Sequence, residues 1–290
     1  MVQNITLAQP FLKWAGGKGQ LLEQYAPFFP REGMRNYYEP FVGSGAVFFA
    51  LQGQRLFDHY YLSDLNEELI TCYEAVQSDL DAVITELEKH VAEHRADAEK
   101  YYYRVRDWDR DPDWTSRPKF IRAARMIYLN KTCYNGLWRV NSQGFFNVPM
   151  GTYKNPAILD IERLSAASIA LQDVTLAVQD FREAVSHAGP GDFVYFDPPY
   201  DPLSDTANFT SYSADSFGQE QQEILACTFA ELANRGCKVM LSNSDTDFVR
   251  QLYARFRIKT LRIEIVEARR AINSKAGKRG TINEIVVLNY

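Results

Sequence analysis

The chain has 290 residues, of which 46% are hydrophobic and 24% are charged, and its formal net charge is −5. This composition excludes a disordered or low-complexity chain and is sufficient for one large domain, with or without an insertion. The first twenty residues lack the apolar segment of a signal peptide, and no run approaches the ~18 apolar residues that span a bilayer, so we expect a cytoplasmic protein that does not enter a membrane.

Short apolar strands alternate with helical segments along the chain, which predicts an α/β fold with a largely parallel sheet. The predicted strands are 36–41, 58–63, 174–179, 192–196 and 237–242, followed by a closing antiparallel pair at 256–267 and 282–289. The predicted helices are 44–53, 66–95, 161–169, 216–235 and 246–254. Strand patterns are absent between about 70 and 160. This gap predicts a mainly helical domain, 70–159, inserted into a core formed by 1–69 and 160–290.

The cysteines and histidines give no sign of a metal site. They follow no metal-ligand spacing and form no cluster, and they are Cys72, Cys133, Cys227 and Cys237 with His59, His90, His94 and His187. We therefore expect reduced thiols and no bound metal.

A glycine turn follows the first predicted strand. In YYEPFVGSGAVFFAL (37–51), Gly43 and Gly45 lie between a strand and a helix, where small residues let the backbone approach a ligand. Asp64 ends the next strand, where a carboxylate can accept both hydroxyls of a ribose. Phe48 replaces the third small residue of the dinucleotide fingerprint, which disfavours pyrophosphate and leaves a nucleoside such as S-adenosylmethionine. A tight turn without a ligand remains the alternative.

The stretch FVYFDPPYDP (193–202) places an acid, two prolines and an aromatic ring at the end of a buried strand. A turn accounts for the prolines but not for the acid or the ring. The exocyclic amino group of a base is a poor nucleophile, and acceptors for its two N–H bonds favour its reaction. Asp197 and the Pro198 carbonyl can be those acceptors, while Tyr200 can stack on the base. The pattern is compatible with a transferase that alkylates such an amino group, with the tetrapeptide Asp197, Pro198, Pro199 and Tyr200 as its catalytic residues.

Positive charge is concentrated in two segments. Residues 114–159 contain seven Lys or Arg and no acid, and residues 268–283 contain five and no acid. Such segments favour a polyanion bound at one face, although charged runs are commonly only solvated surface. If about six of these cations met phosphates, the logarithm of the DNA-binding constant would fall with log salt at a slope of about −5.

Several motifs together resemble the Dam-type DNA adenine methyltransferases: DPPY (197–200), FVGSG (41–45) and FLKWAGGK (11–18). YNGLWRVNSQGFFNVPMGTYKNP (134–156) and PLSDTANFTSY (202–212) also resemble this family. The resemblance implies a Rossmann-like methyltransferase sheet with an inserted DNA-recognition domain. It further implies transfer of a methyl group from S-adenosylmethionine to adenine in double-stranded DNA, within GATC for members of this type. We expect a monomer in solution that is associated with the nucleoid through DNA.

The resemblance also implies which residues contact the methyl donor. They are Trp14, Lys18, Gly43, Gly45, Asp64, Asp180, Phe181 and Asp197. Asp64 would hold the ribose, and Asp180 would meet the adenine ring of the donor. Core packing is the alternative reading for Trp14 and Phe181, and a strand-end cap is the alternative for Asp180.

The DNA contacts implied by the resemblance lie mostly in 134–156. They are Lys13, Tyr134, Asn135, Leu137, Arg139, Asn141, Pro149 and Tyr153. Arg139 would read guanine through a bidentate contact worth about 1–3 kcal/mol. Tyr134 would enter the duplex when the adenine leaves it. Thr152 stands where close relatives carry a phosphate-binding Arg, so one backbone contact differs. Read without the family, YNGLWR is only an Asn-Gly turn.

Three other functions compete with this interpretation. An enzyme that methylates an amide or an RNA base amine typically carries Asn where Asp197 stands. A DNA-binding module without catalysis would not need Asp64, Asp197 and Tyr200. A dinucleotide oxidoreductase is disfavoured by Phe48 and by the two basic segments.

Overall fold

The computed structural model describes residues 8–201, 217–269 and 281–290, and its centre is a seven-stranded sheet. The strands are β1 (Asn36–Glu39), β2 (His59–Asp64), β3 (Val174–Val178), β4 (Phe193–Phe196), β5 (Lys238–Ser244), β6 (Arg262–Arg269) and β7 (Thr281–Leu288). They lie in the order β3-β2-β1-β4-β5-β7-β6. The first five are parallel, whereas β7 is antiparallel to both of its neighbours. The predicted mostly parallel sheet with a closing antiparallel pair is confirmed, with shifted strand ends.

Helices cover both faces of this sheet. They are α1 (Leu22–Tyr25), α2 (Ala46–Gln52), α3 (Glu67–Ser78), α4 (Leu80–Ala96), α5 (Ala98–Arg106), α6 (Lys119–Thr132), α7 (Ile161–Ala170), α8 (Phe181–Ala184), α9 (Gln219–Asn234) and α10 (Asp247–Ala254). The helical segment predicted near 66–95 consists of two helices, which are divided at Asp79. With φ −132° and ψ 36°, Asp79 leaves the helical region, so α3 ends before it and α4 begins after it.

Alternation along the strands separates the core into two hydrophobic clusters. In β4, Phe193 and Tyr195 belong to one cluster, and Val194 and Phe196 belong to the other. All four side chains are fully buried, as expected for a central parallel strand covered on both faces. The strand FVYF is therefore a rigid base for whatever follows its last residue.

The chain between Asp64 and Val174 adds no strand to the sheet. Its helices α4, α5 and α6 pack on one another, and α6 packs on α3, which also contacts β2 and β3. Buried residues of α6, such as Met126, share one hydrophobic cluster with sheet residues such as Tyr37. The helical segment thus rests on the sheet through a continuous core. Its division from the rest as a separate domain, 70–159, remains a prediction.

The described residues contain no disulfide and no membrane-spanning helix. All four cysteines lie within this part of the chain and are free thiols. No helix in the described ranges is long and apolar enough to cross a membrane.

Candidate active site and DNA interface

The sheet topology brings three predicted motifs to one place. The strand order reverses between β1 and β4, and ligands of open parallel sheets bind at the carboxyl ends of the strands on either side of such a reversal. The glycine turn follows β1, Asp64 ends β2, and Asp197 directly follows β4. Residues more than 150 positions apart in the chain therefore meet at one edge of the sheet.

The glycine turn packs closely against two aromatic side chains, Trp14 and Tyr73. Gly43 and Gly45 have φ values of +47° and +68°, and a Cβ atom at either position would lie within 3 Å of a neighbouring atom, Trp14 Cδ1 for Gly43 and the Tyr73 hydroxyl for Gly45. The Gly43 N–H donates to Asp64 Oδ2 at 3.3 Å. Burial raises the pKa of Asp64 to about 6, although N–H donors oppose the rise. Glycine is required here by backbone conformation and by the approach of these rings.

Asp197 is held from one side only. Lys18 Nζ lies 2.7 Å from its Oδ1, and the Ser242 hydroxyl donates to the same oxygen at 2.9 Å. Among the described residues, Oδ2 has no hydrogen-bond partner, and Asp197 is one of the residues that line the cleft. Burial raises the pKa of Asp197, and the Lys18 ammonium partly opposes that rise.

The rest of the tetrapeptide is fixed by side chains of α9 and β7. The Pro199 carbonyl accepts a hydrogen bond from Gln222 Nε2 at 2.9 Å, and the Tyr200 hydroxyl donates to Glu284 Oε2 at 2.6 Å. Within the described part of the chain, no donor is bonded to the Pro198 carbonyl. Consecutive residues thus leave one carboxylate oxygen and one backbone carbonyl without a donor among the described residues, and the Tyr200 ring that follows is anchored.

Glu39 is a second buried carboxylate that the sequence analysis missed. It ends β1, is 2% exposed, and accepts a hydrogen bond from the Tyr37 hydroxyl at 2.8 Å. Its pKa is raised to about 8, mainly by burial; the Tyr37 hydrogen bond opposes the rise and the charge of Asp197 adds to it. Its signal in the sequence was an acid at the end of an otherwise apolar strand, NYYE.

These residues line one cleft of about 1940 Å³, which extends to the helical segment at Trp114, Trp138 and Phe145. A donor without phosphates fits its lining better than a dinucleotide does. Of the described residues, nine acidic and only four basic ones line the cleft, which disfavours the phosphates of a dinucleotide. Phe48, fully buried in α2, fills the space that the third small residue of a dinucleotide site would leave. The cleft is therefore suited to a cationic nucleoside.

Comparison with known proteins agrees with this geometry. The family model described as "D12 class N6 adenine-specific DNA methyltransferase" matches residues 14–272. The chain belongs to this family. It is 44% identical to the Type II methyltransferase M.MjaIII of Methanocaldococcus jannaschii, over 97% of this chain and 99% of the relative. It is 41% identical to the Type II methyltransferase M1.LlaDCHI of Lactococcus lactis subsp. cremoris, over 97% and 95%, and 36% identical to the DNA adenine methylase of Escherichia coli K12, over 96% and 94%.

This protein is therefore an adenine-specific DNA methyltransferase, and membership of the family implies S-adenosylmethionine as the methyl donor. The family does not by itself assign roles to individual residues. Among residues 8–201, 217–269 and 281–290, no group of three or more His, Cys, Asp or Glu side chains could hold a metal ion.

The remaining residues predicted to contact the donor also line the cleft, and each has a structural contact as well. Trp14 is half-buried beside Gly43. The Phe181 ring is 3% exposed and stacks on Phe41 with centroids 5.6 Å apart. Asp180 accepts from the Arg182 backbone N–H at the start of α8 and pairs with the Arg182 side chain at 2.8 Å. Asp180 therefore caps α8, and Phe181 packs in the core. Their contact with the donor remains a prediction.

Six of the eight predicted DNA contacts lie on a loop closed by bridges between Cys133 and Met150 and between Val140 and Phe146, and Lys13 and Tyr153 lie outside it. Tyr134 is 50% exposed, and its N–H donates to the Pro149 carbonyl at 2.9 Å. Arg139 and Pro149 are exposed, Leu137 and Tyr153 are half-buried, and Asn135 has a left-handed φ of 56°. Asn141 Oδ1 accepts from the N–H groups of Gln143 and Phe145, so its side chain shapes the loop.

A buried amide ties this loop to the N-terminal motif, and the sequence analysis did not find it. Asn130 is fully buried at the end of α6. Its Oδ1 accepts from the Lys13 N–H at 2.8 Å, and its Nδ2 donates to the carbonyls of Lys13 at 2.7 Å and Gly136 at 3.1 Å. Lys13 Nζ lies over the Tyr153 ring, 4.8 Å from its centroid. Nothing in the spacing of the sequence distinguishes Asn130 from an ordinary helical residue.

The expectation that the basic segment 114–159 is free to meet DNA needs correction. Arg125 is 1% exposed and pairs with Asp109, and Arg122 is 7% exposed and pairs with Glu67 and Glu68. Arg117 pairs with Asp111 and Lys119 pairs with Glu74. Four of the seven cations are matched by acids outside the segment, which a count along the chain could not show. The motif 202–212 and most of the second basic segment lie outside the described residues.

Proposed function

We propose that this methyltransferase modifies the exocyclic amino group of adenine in GATC, in double-stranded DNA, after rotating the adenine out of the duplex into the cleft. The observation that carries the proposal is the arrangement at the end of β4. Asp197 Oδ2 and the Pro198 carbonyl are two acceptors next to an aromatic ring, in a cleft that also contains the glycine turn and Asp64. Such a pair of acceptors matches the two N–H bonds of one amino group.

In this proposal, the tetrapeptide prepares the amino group for reaction. Asp197 Oδ2 and the Pro198 carbonyl accept hydrogen bonds from the two N–H groups of this amino group. These hydrogen bonds favour a tetrahedral nitrogen, whose lone pair is no longer conjugated with the ring. Tyr200 stacks on the base and fixes its plane. Because burial raises the pKa of Asp197, its carboxylate is a better proton acceptor than an exposed one and can take up the proton that the amino group loses.

The donor would be held on the opposite side of the same cleft. Trp14, Gly43 and Gly45 would form its floor, Asp64 would accept the ribose hydroxyls, and Asp180 and Phe181 would contact its adenine. S-adenosylmethionine supplies a methyl group that is already activated by its sulfonium centre. Lys18 keeps Asp197 in place and balances part of the negative charge of the cleft.

Sequence recognition is assigned to the loop around YNGLWR. Arg139 is exposed, and among the described residues only its Nε is engaged, by Asn147 Oδ1 at 2.7 Å. Its terminal nitrogens can therefore form a bidentate contact with guanine. Leu137, Pro149 and Tyr153 would contact the bases that follow, and Lys13 and Asn135 would lie against the backbone. The half-exposed Tyr134 would fill the space of the rotated adenine, which offsets part of the few kcal/mol that flipping costs.

Plasmid protection tests base, sequence and activity together. The protein would be expressed in a host that lacks adenine methylation, and the recovered plasmid would be digested with one nuclease that methylated GATC blocks and with another that requires it. We expect protection from the first and cleavage by the second. An Asp197→Ala variant is the matched inactive control. If both nucleases behave as on unmethylated DNA, mapping of methylated adenines distinguishes a different target sequence from absence of activity.

A further inference from the structure

Glu284 is a buried carboxylate beside the tetrapeptide that has no part in the reaction described above. It lies in β7, is 9% exposed, and its Oε2 accepts the hydrogen bond of the Tyr200 hydroxyl at 2.6 Å. A buried carboxylate is unfavourable unless it is bonded to a donor or a cation. Tyr200 is the donor bonded to Glu284 among the described residues.

The backbone of Glu284 is held by a neighbouring strand on each side. In the sheet, Glu284 is paired with Ser244 of β5 on one side and with Val266 of β6 on the other. A residue hydrogen-bonded between two antiparallel neighbours cannot shift without disturbing both ladders. Glu284 therefore offers the Tyr200 hydroxyl a stationary acceptor.

The Tyr200 ring is consequently held at two points. Its hydroxyl is bonded to Glu284, and the Lys18 ammonium lies 4.6 Å from its centroid. Burial and the nearby charges of Asp197 and Glu284 raise the pKa of Tyr200 well above its usual range, so the hydroxyl remains a donor. Lys18 also pairs with Asp197, so the ring and the carboxylate that serve one base are connected through Lys18.

We infer that Glu284 is a positioning residue for the target base: it sets the plane of the Tyr200 ring through the phenol hydroxyl and so aligns the base with Asp197. The inference rests on the proposed stacking role of Tyr200. A base that stacks on a tilted ring would present its amino group away from Asp197 Oδ2, so an effect on the chemical step is expected rather than an effect on donor binding.

A double-mutant cycle between Glu284 and Tyr200 tests the inference. Glu284→Ala and Tyr200→Phe each remove the hydrogen bond, from opposite ends, and Tyr200→Phe retains the stacking ring. A charged hydrogen bond of this kind corresponds to a loss in kcat of about 10- to 100-fold. We expect each single variant to show such a loss, with donor affinity within about 3-fold of wild type. In the Tyr200→Phe background, Glu284→Ala should cost no more than about 2-fold further.

Two further variants separate positioning from a general effect of charge or stability. Glu284→Gln keeps an acceptor for the phenol and is expected to retain most of the activity. Glu264→Gln removes a more exposed carboxylate from the adjacent strand β6 and should match wild type in kcat and in melting temperature. Rates would be measured as total adenine methylation of long DNA of mixed sequence, so that an error in the GATC assignment leaves this test intact.

Several outcomes would overturn the inference. One is a Glu284→Ala variant with the kcat of wild type. Another is an undiminished effect of Glu284→Ala in the Tyr200→Phe background, because Glu284 would then act independently of the phenol. If Glu284→Ala fails to fold, the Tyr200→Phe variant tests the inference by itself. A Tyr200→Phe variant with the kcat of wild type would refute the positioning role. A wild-type protein that methylates no adenine would instead contradict the proposed function.

Discussion

Removal of the Asp197 carboxylate is expected to destabilise the fold as well as to abolish methyl transfer. Lys18 is 4% exposed and lies 2.7 Å from Asp197 Oδ1, so Asp197→Ala leaves an ammonium buried without its nearest carboxylate. Breaking a buried ion pair by removing one partner typically costs about 3–5 kcal/mol. The cost here should be smaller, because Asp197 is 19% exposed and the Gly16 carbonyl still accepts from Lys18.

We therefore expect Asp197→Ala to lower the free energy of unfolding by about 2–4 kcal/mol. For a chain of 290 residues, this corresponds to a fall in melting temperature of about 3–7 °C. The pair itself should contribute little relative to an apolar replacement, because burial raises the pKa of Asp197 even though Lys18 is adjacent. Removing both charges, in Asp197→Ala with Lys18→Met, should thus recover most of the lost stability.

Thermal melts of the single variants, the double variant and wild type would measure these differences. Glu93→Ala is a suitable control, because Glu93 and Arg104 form an exposed pair, and surface pairs contribute about 0–1 kcal/mol. An Asp197→Ala variant that melts within about 2 °C of wild type would refute the reasoning. So would a double variant that is less stable than Asp197→Ala, since Lys18 would then be stabilised by something other than Asp197.

Three other predictions concern pH, recognition and salt. Because burial raises the pKa of Glu39 to about 8, the folded protein favours the protonated side chain. The stability that this protonated form contributes is complete below the ordinary pKa of a glutamate and is lost as the pH rises through about 8. Glu39→Gln should therefore flatten the pH dependence of stability measured by urea titration. Arg139→Ala should lose about 1–3 kcal/mol of discrimination at one base pair without lowering the melting temperature, as measured by methylation rates on altered sites; unchanged preference would contradict its assignment. With four cations paired internally, the slope of log K against log salt should be about −3 to −4 rather than −5.

The strands of the sheet could be predicted because the pattern that identifies each strand lies within a few consecutive residues. Apolar runs such as FVYF are short, strongly patterned and bounded by turn residues, which is sufficient to identify a buried strand. The break at Asp79 was missed because charged helical residues continue on both sides of it. The position of a single non-helical residue is not visible in such a pattern.

The polar contacts around the catalytic tetrapeptide could not be predicted in the same way. Ser242, Gln222 and Glu284 lie 20 to 90 positions beyond Asp197 and belong to three different elements. Each becomes a partner of the tetrapeptide only when β5, β7 and α9 pack beside β4. Likewise, the basic segment was misjudged because the acids that neutralise it precede it in the chain.

The strand order explains why the donor and base sites were nevertheless visible in the sequence. β1 and β4 are neighbours, and the chain leaves β1 towards β2 and leaves β4 towards β5, so their carboxyl ends face an open crevice. Any motif placed directly after either strand must line that crevice, whatever the length of chain between them. This applies to the glycine turn after β1 and to Asp197 after β4, whereas no such rule fixes a loop such as 134–153. Loop positions depend instead on single long-range contacts, of which the bonds of Asn130 to Lys13 and Gly136 are the clearest example.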